Sequence, residues 1–181
     1  MRTIRLLAPL AAVALLCGQG TILEVVNQKG TKFYSLPDEK GVVTAAKKNL
    51  TNDPRNPDLL LKLALAEASV WQDTEAVATL DQAITLAPAN AALYTERGHR
   101  ELPLREFGRA RKDLTHASSL NPKDMAAYYH LGLADYFMGA FGPAADAFRH
   151  AVDTAPNTDE RINSTNWLYA ALRRAQRTAE A

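Results

Sequence analysis

One cysteine, Cys17, stands in 181 residues. That count excludes an intramolecular disulfide and any zinc site built on cysteine. Histidine is also scarce. His99, His116, His130 and His150 make no His-Glu-x-x-His pair, and the 20-residue spacing of His130 and His150 brings no third ligand with it. No metal and no other cofactor is expected. There is no glycine-rich phosphate loop, and no Ser/His/Asp arrangement can be drawn, so no enzyme is expected. Neither sign of charge dominates: 21 basic residues face 20 acidic ones. A chain so balanced has no bulk charge to hold nucleic acid. No apolar run reaches 18 residues, which argues against a transmembrane segment.

What is present begins at the N-terminus. Arg2 and Arg5 precede an eleven-residue apolar run, Leu6 to Leu16. That run is too short to span a bilayer and suits an export signal over residues 1–20. Gly18 and Gly20 are small residues two apart, which places cleavage before Thr21. The alternatives are lipid attachment at Cys17 through a lipobox, against which Leu16 counts, and no cleavage. The expected product is exported, periplasmic or extracellular, with a membrane-anchored lipoprotein as the alternative. Without residues 1–20 the balance becomes 19 basic residues against 20 acidic ones.

A period of 34 residues organises the rest. Pro54, Pro88, Pro122 and Pro156 stand in register. Two residues after each comes a helix-starting type, Asn56, Asn90, Asp124 and Thr158. Small residues repeat in columns: Ala64, Gly98 and Gly132; Ala76, Ala110 and Ala144; Ala83, Ala117 and Ala151. A large apolar column holds Leu80, Leu114 and Phe148. Such a period fits two short helices and two turns, with proline ending each second helix. First helices are expected near 57–70, 91–103 and 125–138, and second helices near 73–86, 107–119 and 141–154. Pro103 should end its helix early. Residues 38–51 read as an orphan second helix and 159–176 as a further first helix. Residues 21–36 have no helical period and read as a linker or irregular arm.

This pattern resembles the tetratricopeptide repeat, whose small residues at repeat positions 8, 20 and 27, bulky residue at 24 and proline at 32 are all met in three repeats. The resemblance implies an all-α, right-handed α-solenoid over 37–181. It divides into a half repeat (38–54), repeats 57–90, 91–124 and 125–158, and a terminal helix (159–176). The segments YTERGHRELPLREF, YYHLGLADYFMG and NSTNWLYAALRR are similar to exported bacterial members of the family.

In that family the first helices line a concave groove. Carried over position by position, the resemblance implies a groove with Leu65, Thr95, His99, Tyr129, Leu133 and Tyr136. The Lys/Asn clamp that some members use for a terminal carboxylate is missing. The function implied is a non-enzymatic scaffold that binds a peptide or partner protein; a lipid-anchored assembly factor and a regulatory subunit of an envelope enzyme are the alternatives. The chain departs from the family at two positions. Position 11, usually aromatic, holds Glu67, Glu101 and Asp135, and position 7 of the second repeat, usually leucine, holds Arg97. A charge in a core position must be paired. Arg97 and Glu101 are four apart on one helix face, so an internal ion pair between them is expected, with Glu67 or Asp135 close by. Arg100, Arg105, Arg109, Arg111 and Lys112 read as a solvated basic run.

Overall fold

The computed structural model describes residues 23–26 and 30–180. The expected signal segment 1–20, with Cys17, lies outside the described residues. A two-stranded antiparallel hairpin, β1 (Leu23–Val26) and β2 (Lys32–Tyr34), leads the chain. Eight α-helices follow among the described residues: α1 (Val42–Leu50), α2 (Pro57–Ser69), α3 (Asp73–Leu86), α4 (Ala91–Glu101), α5 (Phe107–Leu120), α6 (Met125–Phe137), α7 (Phe141–Thr154) and α8 (Thr158–Arg174). Each packs against the next in sequence, and α4 also touches α6, as α6 touches α8. The architecture is an all-α, right-handed solenoid of helical pairs. No described helix is long and apolar enough to cross a membrane.

First and second helices start in different ways. Every first helix has a side-chain cap. Asn56 accepts from the amides of Asp58 and Leu59, Asn90 from that of Ala92, and Asp124 from that of Ala127. For α8 the cap is Asn157, accepting from the Glu160 amide, and Thr158 is already helical. The expected cap at Thr158 is thus one residue off. Second helices α3, α5 and α7 have no side-chain cap. A left-handed residue reverses the chain before each: Trp71 (φ 59), Arg105 (φ 62) and Gly139 (φ 81). The next amide then bonds a carbonyl five residues back, Gln72 to Glu67, Glu106 to Glu101 and Ala140 to Asp135, at 2.9–3.0 Å. This is the glycine-type helix ending, with glycine used only in the third repeat. Pro103 does shorten its helix: α4 has 11 residues where α2 and α6 have 13.

The repeated columns are the core. Ala76, Ala110 and Ala144, Ala83, Ala117 and Ala151, and Leu80, Leu114 and Phe148 are all fully buried. Their smallness lets the helices close up, and the large column fills what remains. At Gly98 and Gly132 the approach is tighter still. A Cβ on Gly98 would lie 2.6 Å from Leu114 Cγ, and one on Gly132 would lie 2.7 Å from two ring carbons of Phe148.

Where an irregular arm was expected over 21–36, the described residues Leu23–Val26 and Lys32–Tyr34 form two paired strands. The hairpin pairs Leu23 with Tyr34, Val25 with Phe33 and Val26 with Lys32. It docks on the first repeat, where Glu24 Oε2 accepts from the Thr74 amide (2.9 Å) and hydroxyl (2.8 Å), and the Leu36 amide donates to the Val70 carbonyl (2.7 Å). The Glu24 carboxylate thereby serves the N-terminus of α3, which lacks a cap of its own.

Candidate functional site

The expected pair of Arg97 with Glu101 is not formed. Arg97 holds Asp113 with two bonds, Nε to Oδ2 at 2.5 Å and Nη2 to Oδ1 at 2.8 Å, and reaches Asp81 at 2.6 Å. Asp113 faces it from α5 and Asp81 from α3, each 16 residues away along the chain. A fork-to-carboxylate contact across helices is geometrically better than an i,i+4 reach along one helix. The three position-11 acids instead take separate partners. Glu67 accepts from the Thr79 hydroxyl at 2.8 Å, Glu101 meets Arg109 Nε at 3.1 Å, and Asp135 meets Arg111 Nε at 3.0 Å. All three are buried. The basic run is therefore only partly a solvated face, because Arg109 and Arg111 neutralise acids beneath them and Arg100 lies beside Glu96 and Asp73.

The groove residues divide. Leu65 is exposed. Thr95 is buried, and its hydroxyl donates to Asp124 Oδ2 at 2.8 Å, so it is a tie between repeats and not a groove residue. Tyr129, Leu133 and Tyr136 pack on the cluster of Ala144, Ala145, Phe148, Ala171 and Leu172. Tyr136 stands edge-on to Trp167 of α8, with ring centroids 5.2 Å apart, and Trp167 stacks on Phe148 at 5.9 Å. These aromatics join the third repeat to α8 and present only part of their surface outward.

His99 stacks on His130 of the next first helix, with centroids 3.9 Å apart and planes 18° from parallel. Arg100 donates to the His99 ring. Burial, the neighbouring imidazole and Arg100 together push His99 down to about 3, and burial with Arg100 pushes His130 down to about 4. Two neutral rings form the floor between α4 and α6. Beside them, between α6 and α8, lies a cavity of about 220 Å³ lined by Met125, Ala126, Tyr129, His130, Glu160, Asn163 and Ser164. Ser164 Oγ, Glu160 Oε2 and His130 Nδ1 are buried there with no hydrogen-bond partner among the described residues. Glu160, Asn163 and Ser164 were not legible as a site from sequence. Their signal was a polar i, i+3, i+4 face on the helix that follows the third repeat. No group of three or more His, Cys, Asp or Glu side chains able to hold a metal ion occurs among the described residues.

Two opposing pH effects follow. The unfolded chain protonates its imidazoles near 6.5, so the stabilisation from the neutral His99–His130 stack is complete above 6.5 and is lost as pH falls through 4 to about 3. Glu101 is pushed up to about 7 from 4.5 by burial, then by Asp113 and Glu106, against Arg109 and Arg97. Its contribution is present below 4.5 and lost as pH rises through 7. Relative to Glu101→Gln, the parent should lose on the order of 1–2 kcal/mol between these limits, measured by urea unfolding across pH.

No protein-family model matches the chain. It is 32% identical over 94 residues to the small glutamine-rich tetratricopeptide repeat-containing protein 2 of Saccharomyces cerevisiae, a match covering 51% of this chain and 27% of that one. The matched stretches span 27%, 21% and 3% of the curated relatives' lengths. Among solved structures, MamA is 25% identical with a TM-score of 0.61, covering 78% of this chain and 91% of that one. The first tetratricopeptide domain of Spaghetti (RPAP3), bound to the HSP90 peptide SRMEEVD, shares the fold at 22% identity and a TM-score of 0.63, covering 68% and 96%.

Proposed function

Since the chain is a tetratricopeptide-repeat protein, we propose that it is a non-enzymatic scaffold holding a peptide segment of a partner protein along its first helices. The observation that carries this reading is the cavity between α6 and α8. Three polar atoms without a hydrogen-bond partner among the described residues, Ser164 Oγ, Glu160 Oε2 and His130 Nδ1, line a face that α4, α6 and α8 form together. A buried hydroxyl and a buried carboxylate oxygen without partners are costly in the free protein and are satisfied by a polar group entering from outside. A peptide backbone supplies such groups, and the exposed flanks of Tyr129 and the His99–His130 floor supply surface for its side chains. The RPAP3 domain, whose structure holds a peptide, supports the peptide class. The missing carboxylate clamp argues against recognition through a free C-terminus.

Random-sequence peptides displayed on phage test this. Recovered peptides should shift the amides of Tyr129, His130 and Asn163. Ser164→Ala removes only an unpartnered hydroxyl and should weaken them about tenfold without loss of stability. Peptides that ignore both Ser164→Ala and Glu160→Gln would refute the reading. We further propose that the scaffold works after export, on the strength of residues 1–20 alone. The mass of the mature N-terminus checks it: a chain beginning at Thr21 marks soluble export, and a lipidated Cys17 marks the anchored form.

A further inference from the structure

We propose that the cavity beneath the β-hairpin is a second binding site, which takes a lysine or arginine side chain of a partner protein. It measures about 500 Å³ and lies where the hairpin meets the left-handed turns of the first and second repeats. It is separate from the cavity between α6 and α8 and does not depend on it.

The walls are aromatic and aliphatic: Phe33 and Tyr34 from β2, Trp71 from the α2–α3 turn and Leu104 from the α4–α5 turn. Phe33 is 50% exposed and Trp71 59% exposed, although the left-handed backbone at Trp71 would be cheapest with glycine. A large indole left more than half exposed at such a position serves as a surface. The lining also holds two carboxylates, Glu24 and Asp73. Glu24 spends one oxygen on Thr74, and its other oxygen, Oε1, is buried without a hydrogen-bond partner among the described residues. Among the described residues Asp73 has Arg100 alone for a charge partner, at 3.8 Å. Arg105 also lines the cavity, yet its guanidinium lies over the Phe107 ring at 5.9 Å and makes no salt bridge among the described residues.

Aromatic faces beside under-compensated carboxylates select a cation on an apolar stem. The stem lies on the rings, the head group meets the carboxylates, and the ring quadrupoles add to the attraction. An anion would meet two carboxylates with Arg105, held over the Phe107 ring, as the one cation of the described lining, and a neutral apolar chain would leave Glu24 Oε1 unsatisfied. The volume admits one long side chain with its flanking peptide units.

The probe is the peptide acetyl-Gly-Leu-Lys-Leu-Gly-amide, titrated into isotope-labelled protein and compared with peptides carrying norleucine or glutamate in place of lysine. The lysine peptide should shift the amides of Phe33, Tyr34, Trp71 and Leu104, and the norleucine peptide should bind at least about tenfold more weakly. Glu24→Gln keeps an oxygen for Thr74 and should cost roughly fivefold, as should Asp73→Asn. The Thr74 amide reports whether the hairpin stays docked in Glu24→Gln. If it does not, Asp73→Asn, which leaves that bond alone, decides. Equal binding of the lysine and norleucine peptides overturns the cation preference. Shifts confined to α4 and α6, unchanged affinity in both variants, or no binding by about 10 mM overturn the site.

Discussion

Gly132→Ala should destabilise the fold by about 2–3 kcal/mol, lowering the melting temperature by roughly 5–10 °C. The new methyl would sit 2.7–2.8 Å from three carbons of the Phe148 ring, which is fully buried and cannot bend away. The helix-propensity gain of alanine over glycine, about 1 kcal/mol, is too small to offset that clash. At the same two columns the first repeat carries Ala64 and Leu80, a pair that packs without strain. Gly132→Ala with Phe148→Leu recreates that pair and should recover at least about 1 kcal/mol over the sum of the single effects. Thermal melts of the four proteins decide; strict additivity would mean that the two columns do not meet. Gly98→Ala, facing the more adaptable Leu114, should cost less than Gly132→Ala.

Arg97→Leu should cost about 3 kcal/mol, although leucine is the residue the family prefers there. Asp113 has 8% of its side chain exposed and would keep a carboxylate with no cation, whereas Asp81, half exposed, can turn to water. The cost therefore resides in Asp113. Arg97→Leu combined with Asp113→Leu should be milder than Arg97→Leu alone. In double-mutant cycles by urea unfolding, the coupling of Arg97 to Asp113 should exceed its coupling to Glu101, and the reverse order would contradict the observed pairing.

The register of the solenoid was legible because it rests on volume. Prolines every 34 residues and columns of alanine report helix ends and close helix contacts directly, and Ala76, Ala110 and Ala144 are buried as that spacing implies. Polar geometry was legible only in part. A charge at Arg97 announces that a partner exists, but its partners come from two neighbouring helices, α3 and α5, and the choice depends on how deeply each helix sits. Thr95 occupies a family groove position, yet the bond to Asp124, 29 residues on, turns it inward. Tyr136 was drawn toward Trp167 because the exposed end of the third repeat had apolar area to cover. The hairpin escaped notice because strands of four and three residues carry too short an alternation to stand out. The α6–α8 cavity combines groups from two helices more than thirty residues apart, which no local pattern encodes.

The polar ties of the second repeat bear on how the molecule comes apart. Arg97 reaches back to Asp81 in the first repeat, while Thr95 reaches forward to Asp124, the cap of α6, and Arg111 to Asp135 in the third repeat. The third repeat, by contrast, is joined to α8 through Phe148, Tyr136 and Trp167. In a linear array whose stability is the sum of unit and nearest-neighbour energies, the junctions decide whether units melt together or one by one. The junctions of the second repeat add ionic ties, open to screening where Asp81 and Arg111 meet solvent, to apolar contacts such as Leu93 with Leu80 and Leu114 with Ala134, whereas the contact with α8 is aromatic and salt leaves it intact. Added salt should therefore weaken the coupling of the second repeat to its neighbours by the share its ionic ties carry, and leave the coupling of the third repeat to α8 unchanged.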